Sequence, residues 1–339
     1  MNDVDKQYLD LLRDIIANGK YKSTRAGDTL SVFGKQMRFN LRDGLPLLTT
    51  KKVFVKGIIH ELIWFLNGDT NIKYLVDNNV HIWDDDAYRF YLENCKTEDR
   101  ISKDIFLEKV QSREICQLDK IGDYTFGDLG PIYGKQWREQ GPKQIDQIQD
   151  IINKLKSNPD DRRMICMAWN TTDFEDMALP PCHYGFQVYT RTLSTYERFE
   201  WLCENSDGSY DEWKYPTKEV LDDLNVPTRE LSLMFNMRSN DFCCGNPYNI
   251  CQYGMLAYMF CEVCNMVPGE LIYNGGDVHV YTNHIDAARE QLNRKGSDTL
   301  PKLKFKRKIT NIDEFTYEDF IIEAYNPDPP IKYQLNVGL

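Results

Sequence analysis

The sequence predicts an α+β fold, and three observations carry that reading. Strand-like alternation and helix-like spacing of apolar residues both recur along the chain, but without the regular β-α-β succession of a doubly wound sheet. The 339 residues, 42% of them hydrophobic, suffice for two domains of ordinary size or one large enzyme domain with a sizeable core. Finally, there is no internal repeat and no low-complexity tract.

The elements follow in order. Over residues 4–17, Tyr8, Leu11, Leu12, Ile15 and Ile16 fall at helical spacing, and Gly19 suits the C-cap. Thr29 to Leu41 alternates as a strand. Pro46 to Lys52 turns into a second helix, Val53 to Asn67, which sets Glu61 in an apolar field where a carboxylate is costly unless paired or used. Asn71 to Trp83 reads as helix then turn. The charged stretch 85–124 holds no sustained period and reads as an inserted subregion with one or two short helices. Gly127 to Arg138 is a glycine-punctuated loop, Gln144 to Ser157 an amphipathic helix closed by Asn158-Pro159, and Arg162 to Trp169 a strand.

A second polar interruption spans 191–230, with Asn205-Ser206-Asp207-Gly208 as its clearest turn. Leu231 to Arg238 is a strand, Ser239 to Tyr248 a loop, and a buried helix runs on to Met266. Glu270 to Tyr281 is a strand interrupted by Gly275-Gly276-Asp277, and Asp286 to Arg294 is helical. The tail reads as a strand (Leu303 to Ile309), a short helix (Glu314 to Ile321) and an apolar end.

The net charge of −11 argues against a stable nucleic-acid partner or an anionic membrane surface. The first residues mix acids with apolar side chains, unlike a signal peptide, and no apolar run reaches membrane-spanning length. Ten cysteines lack paired zinc spacing; Cys261 and Cys264 form a C-x-x-C without a second pair. The expectation is therefore no metal, and reduced thiols in a cytoplasmic protein.

One cysteine stands apart. Pro180-Pro181 precede Cys182-His183 and present them on a rigid corner, and the alternation from Phe186 to Thr190 reads as a strand behind it. Cys182 thus sits on backbone that cannot easily relax, a good mount for a nucleophile. His279 and Tyr281 alternate on one strand and face the same side.

The corner MALPPCH resembles the active-site cysteine segment of the thymidylate synthase family. So do GDLGPIYGKQWR, the arginine pair ahead of AWN, RSND followed by GNPYNI, GGDVHVYTNH, and the opening TLSVFGKQMRFNLRDGLPLLTTKK with IIHELIWFLNGDTN. The likeness covers the chain apart from the two interruptions. It implies one catalytic domain, residues 1–339, with a large mixed, twisted β-sheet, flanking helices and two insertions. It also implies a homodimer with Arg162 and Arg163 contributed across the interface, and dUMP and a reduced folate as partners.

The chemistry implied is methylation of dUMP to dTMP, with 5,10-methylenetetrahydrofolate as co-substrate. A sister activity, 5-hydroxymethylation of dUMP, differs only in that water ends the reaction. By resemblance Cys182 is the thiolate that adds to pyrimidine C6, its pKa depressed by nearby cations. Arg25, Arg162, Arg163 and Arg238 hold the phosphate, with Ser239 adding a hydroxyl. Glu61 manages protons at the base and Tyr133 orders that network. Asn249 reads the uracil edge. His279 and Tyr281 bond the deoxyribose, and His183 is a network member rather than a base. Asp241, counted with the catalytic group, and Trp83 line the folate pocket, which Leu339 closes against water. The sequence departs from the family pattern in the short acidic turn after Arg25, in Met237 ahead of Arg238, and in the approach Tyr333 to Asn336.

Overall fold

Two parallel strands at the middle of a six-stranded sheet set the architecture of the computed structural model, which describes residues 1–206 and 215–333. In chain order, α1 (Asp3–Asn18) leads into the hairpin β1 (Lys20–Thr24) and β2 (Gly27–Asn40). Four helices follow: α2 (Val55–Leu66), α3 (Lys73–Asp77), α4 (Asp84–Asn94) and α5 (Lys103–Ser112). A small hairpin, β3 (Ile115–Leu118) and β4 (Gly122–Thr125), precedes α6 (Tyr133–Arg138), α7 (Gln147–Ser157), β5 (Ile165–Met167) and β6 (His183–Thr192). After α8 (Thr195–Asn205) and α9 (Lys218–Asp223) come β7 (Arg229–Asp241), α10 (Gly245–Cys264), β8 (Val267–Tyr281) and α11 (Ile285–Leu292). A last antiparallel pair is β9 (Lys302–Phe305) with β10 (Phe320–Glu323).

The main sheet runs β1-β2-β8-β7-β6-β5. Only β7 and β8 are parallel, because a helix joins them: parallel neighbours need a crossover, and α10 is that crossover. Its twenty residues are apolar nearly all round, so it lies buried against the sheet over Leu231, Leu233, Phe235 and Tyr273. At about 25 cal/mol per Å² of apolar surface, each large side chain sealed there favours folding by roughly 2 kcal/mol. The sheet's other face, carrying Ile165, Gln187, Tyr189, Met234, Asn236 and Asn274, stays half-exposed, and Phe33 on β2 is 86% exposed.

The sheet and the flanking helices match the expected α+β class; several boundaries do not match. The loop expected over Gly127–Arg138 becomes helix α6 in its second half, where Tyr133 and Trp137 pack onto Phe65 of α2. The span 85–124 is more ordered than expected: α4 and α5 are full helices, the hairpin β3–β4 follows them, and Phe106 and Val110 are fully buried. The loop expected over Ser239–Tyr248 shrinks, since β7 continues to Asp241 and α10 starts at Gly245. Gly275-Gly276-Asp277 does not interrupt β8, which stays in register with β2 and β7. The tail helix is replaced by two single 3₁₀ turns and β10, and the strands expected over Arg162–Trp169 and Leu303–Ile309 shorten to β5 and β9. Of the turn expected at Asn205–Gly208, Asp207 and Gly208 lie outside the described residues.

Candidate active site

Cys182 directly precedes β6, and its corner is held by backbone bonds that do not involve the thiol. Its N–H donates to the Tyr133 hydroxyl at 2.8 Å, and its carbonyl accepts from Arg238 N–H. The Arg238 guanidinium donates to the carbonyls of Pro181 (2.8 Å) and Pro180 (2.7 Å), clasping both prolines. Gly130 braces the corner from behind: its φ is +70°, and a Cβ there would stand 1.8 Å from the Asp176 carbonyl, so only glycine lets the two loops meet. Arg238 Nη2 lies 3.9 Å from Cys182 Sγ, and the guanidinium covers the face of Trp169 at 5.7 Å.

The expected depression of the thiol pKa is not found. Burial pushes the Cys182 thiol up and outweighs Arg238, which pulls it down. The reason is placement. Arg162 and Arg163 are exposed ahead of edge strand β5, beside Asp160 and Asp161 in a shallow depression, and Arg25 is exposed in the β1–β2 turn. Of the four expected phosphate ligands, only Arg238 lies against the thiol.

Glu61 lies on α2 among Ile58, Leu62 and Phe65. The Trp83 indole N–H donates to its Oε1 at 2.6 Å, and the Gln252 amide donates to its Oε2 at 2.8 Å. Those bonds favour the charged form, yet burial dominates and pushes the carboxyl up to about 7. A group titrating there can take or give a proton near neutral pH. Tyr133 touches both centres: its hydroxyl accepts the Cys182 N–H, its ring packs edge-on against Trp83, the donor to Glu61, and burial first, then the neighbouring thiol, pushes its own pKa up.

His183 stacks on Tyr133 with ring centroids 4.1 Å apart and shares a 2.7 Å hydrogen bond with the Tyr253 hydroxyl. Burial pulls it down to about 3, so it is neutral at working pH and no proton carrier. Asn249 is half-buried on α10, one turn before Gln252, and its amide makes no side-chain hydrogen bond among the described residues. His279 and Tyr281 lie on β8 with rings 5.4 Å apart, and Asp241 pairs with His279 across the parallel ladder. Ser239, two residues before Asp241 on β7, is half-buried. Asp241 Oδ1 accepts the N–H groups of Cys243 and Cys244, both at 3.0 Å, which fixes the carboxylate. Trp83 is buried, with its polar edge turned onto Glu61. Leu339 lies outside the described residues.

The buried Lys51 ammonium lies near the Asp241 carboxylate and donates to the Cys243 carbonyl. Asp241, Cys244 and His284 also bring an oxygen, a sulfur and a nitrogen within 4.8 Å of one another. Lys51 stands beside that group and opposes a second cation. Three participants were not singled out from sequence: Gln252, Tyr253 and Trp169. Gln252 had a signal, a polar amide inside a buried helix one turn beyond Asn249.

A family model described as thymidylate synthase matches residues 6–337, nearly the whole chain. That places the protein in a class of one-carbon transferases that act on dUMP with methylenetetrahydrofolate. The chain belongs to the thymidylate synthase family. Among the described residues, no helix is long and apolar enough to cross a membrane.

Proposed function

We propose that this protein is a thymidylate synthase, converting dUMP to dTMP. The observation that supports this is a half-buried thiol, with a guanidinium against it and its backbone held by the Tyr133 hydroxyl, in the same site as a half-buried carboxylate titrating near neutrality. Methylenetetrahydrofolate supplies the one-carbon unit and then a hydride, leaving as dihydrofolate. Cys182 loses its proton and its sulfur bonds C6. The C5–C6 electron pair moves toward C5 and O4, which makes C5 the nucleophile. Glu61 manages the proton at the O4 side, and Tyr133 keeps the cysteine corner in register with it. Arg238 holds phosphate and steadies the thiolate. Asn249 offers a donor to O4 and an acceptor to N3–H. His279 and Tyr281 hold the sugar, with Ser239 beside the phosphate, and Asp241 fixes the folate. After the C5 proton is lost and hydride completes the methyl group, the C5–C6 double bond re-forms and Cys182 is expelled as the thiolate.

We further propose a homodimer closed by the half-exposed sheet face, so that Arg162 and Arg163 reach the partner's phosphate site and complete what Arg238 begins. Their exposure at edge strand β5 fits that use. Residues 1–339 then act as one catalytic domain.

The deciding experiment is incubation with dUMP and methylenetetrahydrofolate, with chromatography of nucleotides and absorbance of dihydrofolate. We expect dTMP and dihydrofolate together. Formation of 5-hydroxymethyl-dUMP without dihydrofolate would assign the sister hydroxymethylase instead, and no nucleotide product would sink both. Asn249→Asp is expected to shift the dUMP/dCMP ratio of kcat/KM toward dCMP by roughly 10–100-fold, because a mismatched edge leaves buried polar groups unpaired. An unchanged ratio would mean that the base is read elsewhere.

A further inference from the structure

Gln252 is 2% exposed on α10, one helical turn beyond Asn249. The amide nitrogen faces Glu61 and donates to its Oε2 at 2.8 Å, the orientation that the carboxylate form, which only accepts, requires. The orientation leaves the amide oxygen, Oε1, buried and without a hydrogen-bond partner among the described residues. A buried amide carbonyl left unpaired incurs its full desolvation penalty, so it calls for a donor. If uracil lies against Asn249, its N3–H is taken by the Asn249 amide, and O4 is itself an acceptor. Two acceptors cannot bond each other. A molecule with two protons to give can satisfy both O4 and Gln252 Oε1, and water is such a molecule.

We infer that Gln252 is a positioning residue of this reaction: its amide N–H clamps Glu61, and its carbonyl seats a water molecule bridging Glu61 to the pyrimidine O4. The inference rests on the function proposed above. The water gives one proton to Gln252 and one to O4 and accepts from the protonated carboxyl. When thiolate addition puts charge on O4, a proton passes from Glu61 through that water, and Glu61 is left as the carboxylate that Gln252 and Trp83 already solvate. The titratable neighbours of Glu61 are Tyr133 from α6 and Tyr248 and Tyr253 from α10, all phenols pushed up by burial. No cation contributes to the Glu61 shift among the described residues. Its proton affinity is therefore set by burial and by two donors, of which Gln252 is one.

The test uses the full-length enzyme, Gln252→Met and Gln252→Lys, with thermal melts to certify folding and kcat and KM for dUMP measured from pH 5 to 9. Methionine keeps the volume but removes the donor and the carbonyl. It should raise the Glu61 midpoint in the kcat profile by about one pH unit, lower kcat by roughly 10²-fold, and leave KM for dUMP within about twofold. Lysine supplies a cation, so it should move the midpoint down while kcat stays depressed for want of the carbonyl. Opposite shifts from two folded variants support the clamp. Midpoints that stay put in both, with kcat simply lower, would overturn it and leave Gln252 as packing. A rise in KM with kcat unchanged would overturn the water, because the carbonyl would then bind the base directly. Wild-type enzyme without dUMP turnover would instead defeat the reading of the function itself, which separates the two failures.

Discussion

Cys182→Ser should remove turnover, by roughly 10⁴-fold or more, while dUMP binding stays measurable by calorimetry. The contrast follows from how the corner is held. Tyr133 receives the Cys182 backbone N–H, Arg238 reads the carbonyls of Pro180 and Pro181, and the residue-238 N–H meets the Cys182 carbonyl. None of these bonds uses the sulfur, so a hydroxyl of similar size leaves the pocket standing. The hydroxyl is far less ionised and far less nucleophilic, and burial, which already pushes the thiol up, would suppress an alkoxide entirely. A serine variant with near-native rates would remove Cys182 from the chemistry. Lost dUMP affinity of comparable size would mean that the sulfur is a structural contact.

Glu61→Gln should separate activity from stability. Turnover falls by roughly 10²–10⁴-fold, the usual loss when a positioned acid–base group is deleted. Stability moves the other way above neutral pH. The native carboxyl titrates at about 7, against 4.5 for an unburied glutamate. Between those values the native state keeps a proton that the unfolded chain has released, so wild-type stability declines as pH rises from 4.5 to 7 and levels off above. The gap corresponds to about 3 kcal/mol that a neutral amide in place of the carboxyl does not lose. Gln252 accommodates the change by turning its own amide, so that its unpaired oxygen accepts from the N–H₂ group introduced on α2. Melts at pH 8 should therefore show the variant above wild type, with the difference closing near pH 4. A variant equal to or below wild type at pH 8 would show that Glu61 is not a strained, buried acid.

Much of the site could be read from residue order because its parts are local. Pro180-Pro181-Cys182 constrains its own backbone, and Glu61 in an apolar helix declares its cost without any knowledge of its partners. The pairing of those parts could not be read. Trp83 was expected against the folate, yet its indole N–H lies on Glu61, a contact set by how α2 meets the turn before α4. Gln252 resembles any polar residue in a helix until Glu61 is brought to it from 191 residues away. The hairpin β3–β4 and the 3₁₀ turns of the tail carry too few residues to establish a period. The thiol's raised pKa depends on burial by distant segments, which no motif encodes.

Joining neighbouring strands through α10 also imposes an order on synthesis. Glu61 and Cys182 leave the ribosome long before β7, α10 and β8, the segment that carries Arg238, Asn249, Gln252, His279 and Tyr281. Until that last segment has emerged and crossed over, the cysteine stands in water without its guanidinium neighbour, as an ordinary thiol. The nascent polypeptide thus carries the cysteine corner before the elements that set Arg238 and Gln252 around it have been made.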